Sequence, residues 1–213
     1  MRRSLLFVFT TLGLGCGLLG CSTTATVTPT TQVGAASAVS AVKTAPPSRQ
    51  PDVVFVPTPQ AVVDRMLEMA EIKKGDVVYD LGCGDGRIVV TAAKKYGVKA
   101  VGFDIDPDRI KESIANVKSN KVEHLVTIRQ EDIFTLDLRE ANVVTLYLLP
   151  DLNVRLMPQL EKLKPGSRIL SRDFDMRGAK PLQTVHLDEA NQEGHTIYKW
   201  IVPWEIDPSA AAK

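Results

Sequence analysis

Between residues 51 and 208 the apolar positions follow two rhythms in turn. Short runs rich in β-branched residues are separated by longer stretches with helical spacing. Thr58 to Met69 places Val62, Val63, Met66, Leu67 and Met69 on one helical face, with Thr58 as the expected N-cap and Pro59 as the first helical residue. Val77 to Leu81 predicts a buried strand, and Ile88, Val89, Val90, Ala92 and Ala93 predict the start of a helix packed on it. Lys99 to Ile105 predicts a second strand, Ile110 to Val117 a helix, and Leu125 to Gln130 a third strand. Asp106 precedes Pro107 and is the natural cap of the intervening helix.

Asn142 to Leu149 is almost continuously apolar, as expected for a central strand covered on both faces. Leu152 to Leu163 is amphipathic and ends before Pro165-Gly166; Asp151 is placed to cap it. Arg168 to Arg172 predicts a fifth strand, while Leu182 to Leu187 and Thr196 to Val202 alternate like an antiparallel pair at a sheet edge. This order predicts an α/β fold with a mostly parallel seven-stranded sheet, helices on both faces and an antiparallel edge hairpin.

The chemistry concentrates after the first strand, in VVYDLGCGDGRIVV. Gly82, Gly84 and Gly86 form a strand-to-helix turn where a ligand can approach the main chain closely. A dinucleotide site requires G-x-G-x-x-G and a pyrophosphate on the helix N-terminus. Here the spacing is G-x-G-x-G, and Asp80 stands two residues before it. A carboxylate at that strand end repels a pyrophosphate and favours a cationic ligand. Asp104 lies near the end of the second strand, 22 residues beyond Gly82, where an acid accepts hydrogen bonds from ribose hydroxyls in doubly wound folds. Glu131 and Asp132 follow the third strand.

This three-part pattern resembles the class I S-adenosylmethionine (SAM) methyltransferases, Rossmann-like enzymes of the predicted topology. The resemblance implies SAM as cofactor, with Asp80 at its amino-acid end, Gly82, Gly84 and Gly86 as the loop, Asp104 on the ribose and Asp132 at the adenine amine. Asp132 also reads as an ordinary surface acid. The segments FVPTPQAVVDRML, AVGFDIDP, NVVTLYLLPDLN and RILSRDFDM are similar to a small family whose animal members are lysine methyltransferases acting on the ATP synthase c-ring protein and the adenine nucleotide translocase. The likeness spans nearly all of residues 51–205. It implies a protein-lysine N-methyltransferase, with a small-molecule methyltransferase or a SAM-binding protein without transferase activity as alternatives.

Ligands sit beyond the carboxyl ends of parallel strands. Tyr147 and Pro150 are therefore expected beside the methyl group, although Tyr147 also suits a core aromatic, and no general base is assigned. Pro57 and Thr58 are expected to close over the methionine end of the cofactor. Asp173 and Asp175, after the fifth strand, read either as attractors of a cationic substrate or as a polar loop.

The termini carry a different signal. Arg2 and Arg3 precede an apolar stretch, Leu5 to Leu19, and then Leu18-Leu19-Gly20-Cys21 resembles a bacterial lipobox. Residues 1–20 are expected to be a lipoprotein signal peptide, with Cys21 as the lipidated mature N-terminus; an uncleaved anchor is the alternative. Residues 21–50, rich in Thr, Ala, Ser and Pro and without an acid, predict a flexible tether; 51–208 is the folded domain and 209–213 a tail. The expected location is membrane-anchored and extracytoplasmic, on the periplasmic side. Beyond residue 50 the chain holds 22 basic and 25 acidic side chains, a formal −3. That argues against a nucleic-acid partner. Cys83 and three scattered histidines (His124, His186, His195) lack metal-ligand spacing, and each histidine is expected at the surface.

Overall fold

The computed structural model describes residues 50–187 and 194–207. The expected signal peptide, Cys21 and the tether up to residue 49 lie outside them, as does the tail from 208. Helix α1 (Gln60–Met69) is followed by β1 (Val77–Leu81), α2 (Arg87–Tyr96), β2 (Lys99–Asp104), α3 (Pro107–Ser119) and β3 (Val126–Gln130). A 3₁₀ turn (Ile133–Thr135) leads to β4 (Val143–Leu146), α4 (Pro150–Leu160) and β5 (Arg168–Arg172). Four strands close the domain: β6 (Ala179–Lys180), β7 (Gln183–Leu187), β8 (His195–Ile201) and β9 (Glu205–Ile206). No helix among the described residues is long and apolar enough to cross a membrane.

The seven-stranded sheet has the order β3-β2-β1-β4-β5-β8-β7. The first five strands in that order pair in parallel, and β8 runs antiparallel to both β5 and β7. The expected mostly parallel sheet with an antiparallel hairpin at one edge is therefore present. Alternation along each central strand feeds two cores. Val78, Val143 and Leu170 pack with α1, α2 and α3, whereas Tyr79, Val144 and Ile169 pack with α4, the 3₁₀ turn and Trp200. Burial of each Val, Leu or Ile contributes about 1.5–3 kcal/mol, so both faces stabilise the sheet. The small β6–β9 pair had no sequence signal; the Trp200 indole N–H donates to Ala179 O at 3.0 Å and ties it to β8.

Several boundaries differ from the sequence expectation, each for a local reason. Thr58 is not the cap of α1: Pro59 takes an extended conformation (φ −54°, ψ 144°) and is itself the cap residue. A residue before proline is steered away from the helical region, which leaves Thr58 one step outside the helix. β4 ends at Leu146, not Leu149, and α4 begins at Pro150, so Tyr147, Leu148 and Leu149 form the turn between them. Asp151 consequently lies inside the first helical turn, where it faces the positive end of the dipole and pairs with Arg177 at 2.8 Å. The cap position belongs to Leu149, without a side-chain bond. Asp106 caps α3 as expected, accepting from Asp108 N–H at 2.8 Å.

Candidate functional site

The parallel register sets the site. Leu81 lies beside Phe103 on one flank and Leu146 on the other, so β1, β2 and β4 end level with one another. The backbone N–H groups of Gly82 and Cys83 both donate to Phe103 O at 2.9 Å, which folds the glycine loop back over the end of β2. Gly84 N–H then donates to Asp104 Oδ2 at 2.8 Å, and Asp106 N–H donates to Oδ1 at 3.0 Å. Asp104 is thus fixed from both sides, with lone pairs remaining on each oxygen. A cavity of about 490 Å³ opens above these strand ends.

Asp80, Gly82, Asp104, Asp132, Thr58 and Tyr147 line that cavity. Gly84, Gly86, Pro57 and Pro150 are not among its lining residues. Gly84 (φ 54°) and Gly86 (φ 76°) serve the loop itself: a Cβ on Gly84 would lie 2.1 Å from the Phe55 ring, and one on Gly86 would lie 3.0 Å from Ser113 Cβ. The glycine at 84 therefore admits an aromatic side chain of the same chain as well as giving the turn its shape. Pro150 opens α4 beside the cavity-lining Leu149 and Leu152. Asp132 caps the 3₁₀ turn, accepting from Phe134 N–H at 3.0 Å, while still facing the cavity.

The electrostatics of the floor are unusual. Asp80 is buried and accepts a 2.7 Å hydrogen bond from Thr145 Oγ1. Desolvation dominates, with Asp104 and Asp85 adding like charge, and its carboxyl is pushed up to about 7. Burial also raises Asp104, against the stabilising hydrogen bonds from Asp106 and Gly84. Among the described residues, seven carboxylates but only two arginines line the cavity. Such a floor accommodates a ligand that brings its own positive charge.

Sequence reasoning missed the segment before α1 as a wall of the site. Val53, Val54, Phe55 and Val56 line the cavity. Phe55 lies over Gly84 and 4.8 Å from the Arg109 guanidinium carbon. Arg87 pins this segment to the loop, donating to Thr58 O at 2.7 Å while its Nε bonds Asp85 Oδ1 at 2.9 Å. The only advance sign was the apolar run Val53 to Val56 outside any predicted helix. Two other expectations change. His195 is buried, because β8 lies between two strands instead of at an edge. Asp173 bonds His195 Nδ1 at 3.1 Å and pairs with Arg172 at 3.0 Å, and neither it nor Asp175 reaches the cavity lining.

Comparison with known proteins identifies the constellation. Residues 80–183 match the model of the ANTKMT methyltransferase domain. A protein-lysine N-methyltransferase of Saccharolobus islandicus is 47% identical over 154 residues, 71% of this chain and 95% of that protein. The chain belongs to this methyltransferase family. Its cofactor is S-adenosyl-L-methionine. A lysine N-methyltransferase of Rattus norvegicus, named for its action on the ATP synthase c-ring protein, is 32% identical, covering 66% of each chain. An RNA methyltransferase from Salinibacter ruber, solved with S-adenosyl-L-homocysteine, is 49% identical with a TM-score of 0.66, covering 73% of this chain and 99% of that one.

The residues present fit this cofactor. Asp80 is a desolvated carboxylate acted on only by like charges, which suits the cationic amino-acid end of the ligand. Asp104 retains acceptor capacity for ribose hydroxyls, and Asp132 faces the same cavity at the end of β3. Asp104→Ala is expected to weaken SAM binding about 10–100-fold, the worth of one charge-assisted hydrogen-bonding group, as measured by titration calorimetry. Asp80 predicts a pH effect. Its folded pKa of about 7 lies above the ordinary 3.8, so the ligand-free fold gains protonation stability at low pH and loses it as pH rises from about 4 to 7. A bound cation favours the ionised form. SAM affinity should therefore rise with pH up to about 7 and level off above it, and Asp80→Asn should flatten this rise. An unchanged slope in the variant would exclude Asp80 as the source.

Proposed function

We propose that the protein is a protein-lysine N-methyltransferase. The observation that carries this reading is the division of one cavity into two chemically different halves. The floor is acidic, with Asp80, Asp104 and Asp132, while the side formed after β4 and β5 is apolar and aromatic, with Tyr147, Leu148, Leu149, Leu152 and Phe174. SAM, when bound, supplies an electrophilic methyl group on a sulfonium. Asp80, Asp104 and Asp132 hold its polar ends. Tyr147 faces the acceptor side, and Leu149 and Leu152, beside Pro150, exclude water there. An apolar channel disfavours an ammonium and so helps a lysine lose its proton, from an ordinary pKa near 10.4. The names of the Saccharolobus islandicus and Rattus norvegicus relatives support a lysine acceptor.

The Salinibacter ruber relative raises RNA as the alternative acceptor. The charge balance disfavours it. Seven cavity-lining carboxylates against two arginines repel a polyanion, and outside the first fifty residues the chain is net acidic. Val54 and Leu149 are exposed at the same cavity, 88% and 48%, an apolar rim that suits a protein surface better than a small polar substrate. The full-length protein incubated with tritiated SAM and cell extract should label protein bands, with methyl-lysine recovered after hydrolysis. Label confined to RNA, or to small molecules, would overturn the lysine assignment.

We further propose membrane attachment through lipid on Cys21, on the strength of the lipobox-like Leu18-Leu19-Gly20-Cys21 and the tether-like composition of residues 21–50. The domain would then act on the extracytoplasmic side. Metabolic labelling with a palmitate analogue should mark the wild-type chain and not Cys21→Ala. Equal labelling of both would reject the anchor.

A further inference from the structure

The buried polar cluster behind the acceptor wall has no evident structural purpose. Arg172 ends β5 with its side chain 5% exposed, and its Nη1 has no hydrogen-bond partner. An unsatisfied buried guanidinium nitrogen is costly, and a hydrophobic residue would serve the core better. Its surroundings are nonetheless ordered. Asp173 Oδ2 lies 3.0 Å from Arg172 Nε and 3.1 Å from His195 Nδ1, and Asp173 Oδ1 accepts from Thr196 N–H at 2.9 Å. Arg172 Nη2 lies 3.2 Å from His195 Nδ1. Asp173 takes a left-handed conformation (φ 59°), unusual for a residue with a side chain, and this turn precedes Phe174. Strained backbone of this kind persists where surrounding contacts over-determine it, and it clusters at working sites.

The cluster meets the cavity through one contact. The Arg172 guanidinium carbon lies 4.1 Å from the centroid of the Tyr147 ring. Tyr147 in turn lies nearly parallel to Phe174, with an interplanar angle of 13° and centroids 6.2 Å apart, and both rings line the cavity. Tyr147 sits in the turn after β4, where no strand hydrogen bonds hold it. We infer that Arg172 is a positioning residue for methyl acceptance. It holds the Tyr147 ring from behind, while the strained Asp173 turn sets Phe174 beside it, so the spacing of the two rings decides which amine fits next to the transferring methyl. Arg172 touches neither ligand. Its planar, delocalised cation suits this role because it stacks on a ring and pairs with Asp173 at the same time. The inference rests on the lysine-methyltransferase reading and adds the device that sets acceptor fit.

The test uses the full chain, tritiated SAM and extract proteins, with mono-, di- and trimethyl-lysine resolved by mass spectrometry. Arg172→Met should keep SAM affinity within about twofold, lower total transfer at least about tenfold and change the ratio of methylation states. Arg172→Lys, which retains the charge but not the fork, should fall between it and the wild type. A role in folding alone would lower all methylation states in proportion. Should Arg172→Met not fold, Tyr147→Leu, which removes the ring at a partly exposed position, must produce the altered ratio by itself. An unchanged ratio in both variants, or loss of SAM affinity in step with transfer, overturns the inference. Absence of lysine labelling by the wild type overturns the proposed function, and the acceptor role of Arg172 with it.

Discussion

The structure depends on the level parallel pairing of β1 with β2 and β4. Leu81 has Phe103 on one side and Leu146 on the other, so three strands finish at the same height. That alignment puts Asp80, the glycine loop and Asp104 within one hydrogen-bonded arrangement, and it puts the turn carrying Tyr147 opposite them. Each strand is buried on both faces, and a slip of register would drive its residues into the wrong core. Apolar packing thereby fixes the geometry of groups that are themselves polar.

The carboxylates of the floor make the ligand-free site an electrostatically unfavourable place. Asp80 is desolvated among like charges, and Asp104 is partly so. The protein compensates with local donors: Thr145 Oγ1 for Asp80 and the Gly84 and Asp106 amides for Asp104. The remaining imbalance favours a cation. Specificity for a positively charged cofactor over a pyrophosphate follows from this balance more than from the glycines, which many nucleotide sites share.

The acceptor side follows another logic. Its walls are aromatic and aliphatic, and the charges of the Arg172, Asp173 and His195 cluster lie behind the rings. A cationic ligand on the floor and an apolar acceptor wall within one cavity keep the two substrates chemically apart. The apolar segment Val53 to Val56 closes the remaining side, and Arg87 couples it to the glycine loop through Thr58 O.

Much of this was legible in the chain. The periodicity specified nearly every helix and central strand because burial on one or two faces leaves a direct mark on residue order. The acids Asp80, Asp104 and Asp132 were legible because each stands at a strand end, and strand ends are local features. Thr58 as a cap, Asp151 as a cap and His195 as a surface residue were misread. Pro59 and Pro150 shifted the helix starts by steric effects that composition does not display, and β8 became interior only through long-range pairing. The roles of Phe55 and Arg172 were invisible for the same reason. Phe55 and Gly84 are 29 residues apart, and Arg172 and Tyr147 are 25 apart. Sequence by itself therefore determined the elements, the fold class and the cofactor chemistry, which depend on short-range pattern. Tertiary structure alone decided which side chains wall the acceptor side, because that depends on contacts between segments with no shared periodicity.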